Sequence, residues 1–347
     1  MMRPTRVPSP DSVRSTGSSG PFAGVFGPAW PYVQIARIDH WFKNVLMVLG
    51  VLLAFFYRPD LLVAGSAARL LLALLATCLV ASSNYTLNEL LDGPTDRLHP
   101  EKRYRPVPSG RVRPLLAYVQ WLALGGAGFA LAVLVGRCFL LSALGLWIMG
   151  ILYNVPPIRA KEWPYLDVLS ESINNPIRLL LGWFALIADR FPPVSLALAW
   201  WMLGAFFMAI KRLAELRHIG DPALAAAYRR SFAHYTEERL LISILFYATA
   251  SALFAGIFIV RYRLELILFV PFAAGLFAYY LKIGLQPDSP AQHPERLFGQ
   301  AGFAAYSALS LLVFIALMFV QVPGLYEWFN VEPSSIAPLW VIGNPGR

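Results

Sequence analysis

Residues 62–96 read LVAGSAARLLLALLATCLVASSNYTLNELLDGPTD, an apolar run that ends in a group of polar side chains. Its apolar part, 62–87, is long enough for a helix that crosses a bilayer, which takes about 20 residues. Asn88 and Asp92 are one helical turn apart on one face. Asp96 follows after Gly93-Pro94, where we expect the helix to be interrupted. The stretch therefore predicts a spanning helix that carries oxygen ligands at one membrane edge.

The composition of the whole chain is that of a membrane protein. Of its 347 residues, 57% are hydrophobic and only 14% are charged, whereas soluble domains carry about a quarter charged residues. We therefore predict an all-α fold, a polytopic membrane bundle of nine transmembrane helices. The predicted spans are 41–57, 62–87, 115–135, 138–156, 165–188, 193–210, 240–261, 264–282 and 301–322.

The positions of Lys and Arg predict the orientation, because these residues concentrate in cytoplasmic loops. With the N-terminus inside, twenty-one of the 29 fall in cytoplasmic segments and six in the opposite ones. We expect a multi-pass membrane protein with its N-terminus cytoplasmic and its C-terminus outside. The predicted regions are a disordered cytosolic tail at 1–38, a transmembrane domain at 39–325 and a non-cytoplasmic tail at 326–347. The membrane accounts for the basic balance, so no nucleic-acid partner is expected.

The acids at 88–96 and the basic run after them suit a bound diphosphate. Clustered carboxylates repel each other unless a cation joins them, and hard oxygen ligands favour Mg²⁺, which commonly bridges carboxylates and substrate phosphates. Basic side chains that follow would bind phosphate oxygens. The alternatives are a solvated helix end for the acids and positive-inside anchoring for the cations, and His99 is expected to form loop hydrogen bonds. The basic residues are His99, Lys102, Arg103 and Arg105.

A second polar group lies in the predicted fifth span. Asp167 and Glu171 are four residues apart on one helix face, and ionisable residues inside a span usually mark a functional site. Arg178 lies deeper, and one alternative is that it only neutralises Glu171 as a buried pair. The stretch that leads into the acids carries three further polar residues, Tyr153, Arg159 and Lys161.

These motifs resemble those of the UbiA superfamily of intramembrane prenyltransferases. The family motif N-D-x-x-D-x-x-x-D is matched by residues 88–96, with Glu89 at its second position. The sequences R-P-x-x-S-G at 105–110 and Y-x-x-P-P-x-R-x-K at 153–161 are also similar to the family. Its D-x-x-x-D motif is matched by Asp167 and Glu171. The resemblance covers about residues 35–325.

Within that superfamily, the chain is similar to the decaprenyl-phosphate phosphoribosyltransferase branch, and this resemblance implies that the membrane is a bacterial inner membrane. The resemblance implies Mg²⁺-dependent transfer of 5-phosphoribose from phosphoribosyl pyrophosphate to a polyprenyl phosphate, with release of pyrophosphate. One alternative is prenyl transfer from a prenyl diphosphate to an aromatic or other small acceptor, and another is a lipid or ion transporter. The prenyl chain length and the formation of a homo-oligomer stay open. The similar residues are H-P-x-K-R at 99–103, K-R-L-A-E-L at 211–216, Arg229-Arg230, Tyr235-Thr236 and Pro294-Glu295.

The candidate site residues follow from these motifs. Asp92, Asp96 and Asp167 are the predicted catalytic residues, and together with Asn88 they are the predicted Mg²⁺ ligands. Whether Glu89 and Glu171 bind metal is left open. The cations of the loop at 211–230 favour a donor with more than one phosphate group, although positive-inside anchoring is again the alternative. The predicted substrate-binding residues are Lys43, Lys102, Arg103, Arg105, Tyr153, Arg159, Lys161, Glu171, Lys211, Arg212 and Glu215.

Overall fold

The fold of the described residues in the computed structural model is built of helices, without a strand. These residues are 27–97, 102–292, 297, 299–332, 339 and 342. The α-helices are α1 (Trp30–Ile35), α2 (Val48–Tyr57), α3 (Ala64–Asp96), α4 (Pro114–Val135), α5 (Arg137–Asn154), α6 (Leu166–Ser172), α7 (Asn174–Phe184), α8 (Val194–Ile219), α9 (Pro222–Tyr228), α10 (Glu237–Tyr262), α11 (Val270–Gly284), α12 (Ala301–Phe319) and α13 (Pro323–Trp328). Short 3₁₀ helices include Ile38–Met47, Lys102–Tyr104, Ala160–Glu162, Arg230–Ala233 and Leu264–Phe269.

The described part of the chain contains eight segments that are long and apolar enough to cross a membrane. The predicted span at 165–188 is not among them, because it is divided into α6 and α7. Pro176 has no amide hydrogen to donate to the carbonyl of Ser172, and this missing bond favours a break between the two helices. The all-helical membrane fold is confirmed, and the exact count of nine spans is not.

Helix α3 is longer than the sequence predicts. It continues through Gly93 and Pro94 to Asp96, so the predicted interruption at Gly93-Pro94 is wrong. Gly93 also permits a close approach of the following connection, since a Cβ there would lie 2.9 Å from Val107 Cγ1. Asn88, Asp92 and Asp96 consequently lie on successive turns of one helix.

Residues before 39 belong to the folded bundle. Ile35 of α1 is fully buried in a small cluster with Leu90, Val112 and Ala117. The predicted tail at 1–38 is therefore too long at its C-terminal end, and 1–26 lie outside the described residues. The other predicted boundary, between 325 and 326, falls inside α13.

Helices α2 and α7 cross in close backbone contact. A Cβ on Gly50 would overlap the carbonyl oxygen of Leu179, and a Cβ on Gly182 would overlap the carbonyl oxygen of Met47. Small residues allow such approaches between helices in membranes, where van der Waals packing drives association. The crossing fixes the position of α7 relative to the segment that precedes α2.

The candidate site residues gather at one end of the bundle, which we call the site end. It is formed by the C-terminal ends of α3, α5 and α8 and by α6. The connections 102–113, 155–165 and 220–236 cover it, and the side chains described below join these segments directly. The orientation of the site end relative to the cytoplasm stays a prediction.

Candidate active site

The first acidic motif forms ion pairs with two connections at the site end. Asp92 accepts a hydrogen bond from Lys161 Nζ, and Arg159 Nη2 lies 3.4 Å from Asp92 Oδ1. Asp96 is buried, and its Oδ2 accepts a hydrogen bond from Arg105 Nη1 at 2.8 Å. Three of the predicted substrate-binding cations are thus held by the acids of the motif. A diphosphate at this position would attract the same cations.

The connection that carries Arg159 and Lys161 is closely fitted to α3. Arg159 adopts a left-handed backbone conformation with φ of 34°, which is uncommon for a residue other than glycine. Burial lowers the pKa of Lys161 to about 8, although the Asp92 carboxylate opposes the shift. The Lys161 ammonium also lies 5.8 Å from the centre of the Tyr153 ring. Lys161 therefore connects the first acidic motif with the end of α5.

Asn154 joins the metal-ligand candidate Asn88 to Lys161, a role that the sequence motifs did not indicate. Its Oδ1 accepts hydrogen bonds from Asn88 Nδ2 at 2.6 Å and from Lys161 Nζ at 2.8 Å. The one signal in the sequence is that Asn154 follows Tyr153 in the motif at 153–161. A lone amide has no spacing pattern that would distinguish it from an ordinary helix end.

Glu89 does not face the same space as its neighbours in the motif. Its carboxylate accepts a hydrogen bond from the backbone N–H of Val107 at 3.3 Å, and Arg37 Nη2 lies 3.8 Å away. Successive residues of a helix are rotated by about 100°, so position 89 is turned away from the face shared by 88 and 92. These contacts indicate that Glu89 fastens the connection after α3.

The second acidic group is organised around one arginine. Arg212 is 2% exposed, and its three guanidinium nitrogens donate to three different carboxylates. The bonds are 2.9 Å to Asp167, 3.1 Å to Glu171 and 2.9 Å to Glu215. A buried guanidinium needs such partners, because an unpaired charge in a low-dielectric site is costly. Glu215 thus joins Asp167 and Glu171 in one network.

Glu171 links this network to α5. Its Oε2 accepts a hydrogen bond from the Tyr153 hydroxyl at 3.0 Å, and its side chain is 38% exposed. Arg178 is not its partner, because Arg178 donates instead to Asn44 Oδ1 at 2.9 Å. The alternative that Arg178 simply neutralises Glu171 is therefore wrong.

Asp167 is the most enclosed acid of the site, with no exposed surface. Its Oδ1 accepts a hydrogen bond from the Tyr235 hydroxyl, and its Oδ2 accepts one from Ser231 at 3.3 Å. Arg229 Nη1 lies 3.5 Å from the same Oδ2. Burial and the Asp167 carboxylate raise the pKa of Tyr235, so its hydroxyl stays protonated and donates. One carboxylate thereby fastens the connection between α8 and α10 onto the site.

The donor set on α3 fits a divalent cation. Asn88, Asp92 and Asp96 offer hard oxygen atoms at four-residue intervals, and the Asp92 side chain is 21% exposed. Among the residues that the structure describes, no group of three or more His, Cys, Asp or Glu could hold a metal alone. The set on α3 would therefore need the Asn88 oxygen and oxygens from water or phosphate. Asp167 fits direct ligation less well, since both of its oxygens accept hydrogen bonds.

The remaining predicted residues differ in their surroundings. Arg103 is exposed and pairs with Tyr104, so it stays outside both networks. Lys43 and Lys211 form no hydrogen bond or ion pair with another described residue. Lys102 begins a short helix at the site end. His99 and Pro294-Glu295 lie outside the described residues.

Comparisons with known proteins agree with this architecture. A family model described as the UbiA prenyltransferase family matches residues 44–303. The decaprenyl-phosphate phosphoribosyltransferase of Mycolicibacterium smegmatis is 32% identical over 234 residues, which are 65% of this chain and 69% of that protein. The nodulation protein NoeC of Azorhizobium caulinodans is 31% identical over 205 residues, which are 59% of this chain and 64% of that protein.

Solved structures show the same fold. A UbiA homolog from Archaeoglobus fulgidus bound to GPP and Mg2+ matches 84% of this chain and 100% of that chain. The TM-score is 0.62 and the sequence identity is 21%. At this identity, the likeness concerns the arrangement of the helices and not the substrate.

Proposed function

The chain belongs to the UbiA prenyltransferase family and is a transferase, and we propose that it transfers 5-phosphoribose from phosphoribosyl pyrophosphate to a polyprenyl phosphate. The observation that carries the proposal is the pair of acids Glu171 and Glu215 beside the diphosphate motif. Arg212 holds one oxygen of each, and both side chains keep part of their surface exposed. Carboxylate oxygens accept hydrogen bonds from sugar hydroxyls. The hydrocarbon chain of a prenyl donor has no hydroxyl group that could donate to them.

The two networks are close enough to serve one donor molecule. The Tyr153 hydroxyl contacts Glu171, and the Tyr153 ring lies beside Lys161, which contacts Asp92. A donor whose diphosphate lies at α3 would therefore bring its ribose hydroxyls toward Glu171. We further propose that the site end faces the cytoplasm of a bacterial inner membrane, where a soluble donor is present.

The diphosphate would be bound by the residues of the first motif and their present partners. Asn88, Asp92 and Asp96 are the residues that would hold Mg²⁺, whose charge stabilises a leaving pyrophosphate. Arg159 and Lys161, which now contact Asp92, would donate to the phosphate oxygens. Charge-assisted hydrogen bonds of this kind are about twice as strong as neutral ones.

The proposed reaction needs no strong general base. The bond between C1 of the ribose and the diphosphate oxygen breaks, and pyrophosphate leaves with the electron pair. An oxygen of the lipid phosphate forms the new bond to C1. This oxygen is already anionic, so no proton has to be removed from it. Accordingly, the side chains described in the two acidic networks include no histidine.

The proposal is tested by incubating membranes that contain the protein with labelled phosphoribosyl pyrophosphate, decaprenyl phosphate and Mg²⁺. We expect a labelled lipid with the wild type and none with Asp92→Ala. Asp60→Ala is the matched control, because Asp60 is an exposed acid at the opposite end of the bundle that pairs with Arg58. Near-normal labelling with Asp92→Ala would refute the assignment of the site.

A second candidate function is prenyl transfer from a prenyl diphosphate to a small acceptor. It is favoured by the match of residues 44–303 to the family model described as the UbiA prenyltransferase family. The same membranes incubated with labelled geranyl diphosphate and 4-hydroxybenzoate distinguish the two. A labelled prenylated acceptor, without any lipid product from phosphoribosyl pyrophosphate, would establish the second function instead.

A further inference from the structure

Three cations near the site end, Lys43, Arg178 and Lys211, have no acidic partner among the residues that the structure describes. The acids described there, Asp92, Asp96, Asp167, Glu171 and Glu215, each lie within 4.0 Å of a cationic side chain. By contrast, no carboxylate of another described residue forms an ion pair with Lys43, Arg178 or Lys211. These residues come from three separate segments, Ile38–Met47, α7 and α8. The described acids of the site end are therefore neutralised by other cations, and the positive charges of Lys43, Arg178 and Lys211 are not balanced by them.

Arg178 is held rigidly, although no described carboxylate serves as its counterion. It is 8% exposed, its Nε donates to Asn44 Oδ1 at 2.9 Å, and its Nη1 donates to the carbonyl of Asn174 at 3.3 Å. Asn44 is oriented in turn by Cys78, to whose sulfur it donates at 3.2 Å. The remaining amino group, Nη2, has no acceptor among the described residues. An uncompensated guanidinium inside a membrane bundle is costly, and such residues mark binding sites for ions or substrates.

Lys43 and Lys211 lie near this guanidinium. Lys43 precedes Asn44 in the chain, and it interacts electrostatically with Arg178, Lys211 and Glu171. Lys211 precedes Arg212, which donates to Glu171 at 3.1 Å. Lys43 and Lys211 therefore act on Glu171, and Arg178 adjoins Lys43 through its hydrogen bond to Asn44. Because Glu171 already has Arg212 as its partner, it cannot balance three further positive charges.

A separate apolar cavity lies further along the bundle. It lies between α2, α8 and α12 and is lined by apolar side chains, among them Leu49, Leu53, Phe314 and Met318. Leu49 is less than two helical turns after Lys43 in a continuous helical segment. A ligand with an anionic head at Lys43 and a long hydrocarbon chain would match both regions.

We propose that Lys43, Arg178 and Lys211 form a subsite for the phosphate of the lipid acceptor, separate from the diphosphate site on α3. The assignment rests on the proposed function, in which the acceptor is a polyprenyl phosphate. Separation of the two sites keeps the acceptor phosphate from competing with the donor diphosphate for the same ligands. It also allows the acceptor oxygen to approach the donor from the side opposite the leaving group.

The test measures binding of farnesyl phosphate, a short lipid phosphate, to the full-length protein in detergent. We expect Lys43→Gln and Lys211→Gln each to raise the Kd at least tenfold, and Arg178→Gln to do the same where the variant folds. Binding of farnesol, which lacks the phosphate, should be unchanged. Lys282→Gln is the matched control, because Lys282 is an exposed lysine in the last turn of α11. Wild-type affinity for farnesyl phosphate in both lysine variants would overturn the proposal.

Two further arms separate the possible sources of the phosphate. Inorganic phosphate should displace farnesyl phosphate only weakly, and equal affinity for both would refute a lipid subsite. The KM for phosphoribosyl pyrophosphate should change less than twofold in the lysine variants. If this KM rose by the same factor as the Kd for farnesyl phosphate, the two lysines would belong to the donor site instead. The wild-type protein could form no labelled lipid and still lose its binding of farnesyl phosphate in the lysine variants. That pair of results would support this subsite and refute the proposed function.

Discussion

Arg212 is the side chain whose replacement should disturb the site most. In Arg212→Met, three carboxylates lose a hydrogen bond at once, and Asp167 remains without any exposed surface. Breaking a buried pair by removing one partner costs about 3–5 kcal/mol, because the other charge is left uncompensated. Arg229 still lies 3.5 Å from Asp167 and limits the loss, so we expect the lower part of that range.

The matched control for this replacement is Arg217→Met on the same helix. Arg217 pairs with Glu237, and both side chains are substantially exposed, so its loss should cost about 0–1 kcal/mol. In the assay, the detergent-purified variants are heated, and size-exclusion chromatography measures the fraction of protein that remains folded at each temperature. The thermal midpoint is the temperature at which half of the protein is lost. The midpoint should fall several times further for Arg212→Met than for Arg217→Met. Equal midpoints would refute the view that Arg212 organises the second acidic group.

Three further changes test other parts of the structure. Gly182→Ala should destabilise the protein by about 1–3 kcal/mol, because its Cβ would overlap the Met47 carbonyl. Gly126→Ala, with open space around it inside α4, should leave the thermal midpoint unchanged or raise it slightly, because Ala favours a helix over Gly. An equal fall of the midpoint in both variants would contradict the packing argument. Asn154→Ala should raise the KM for the donor about tenfold, since charged hydrogen bonds contribute about 1.5–3 kcal/mol, and an unchanged KM would show that Asn154 does not orient Lys161. Removal of divalent metal with EDTA should stop lipid labelling and excess Mg²⁺ should restore it, whereas full activity in EDTA would rule out a metal at α3.

The membrane fold could be predicted from the sequence because the length of an apolar run reports the thickness of a bilayer. Whether a helix continues or breaks at a proline could not be predicted from the sequence. Gly93-Pro94 lies within α3, whereas the break before Pro176 divides α6 from α7. Both positions have a proline near a helix end, and tertiary packing decides between the two outcomes.

The sequence predicts the candidate site as separate motifs, but it does not predict which side chains pair with the residues of these motifs. The spacing of Asn88, Asp92 and Asp96 indicates one helix face, as the structure has it. No spacing in the sequence relates Asp167 to Ser231, because the two residues belong to segments that meet only in the folded bundle. Helical geometry alone predicts that Glu89 is turned away from the motif. It does not predict that the backbone N–H of Val107 is the partner of Glu89.

The central claim concerns which part of the donor is transferred, and a doubly labelled donor tests it most directly. Phosphoribosyl pyrophosphate with ¹⁴C in the ribose and ³²P in the β-phosphate is incubated with membranes, decaprenyl phosphate and Mg²⁺. We predict that ¹⁴C enters the lipid fraction and that an equal amount of ³²P appears as free pyrophosphate, both only when Asp92 is intact. Absence of ¹⁴C from the lipid, or entry of ³²P into it, would contradict the proposed transfer of phosphoribose.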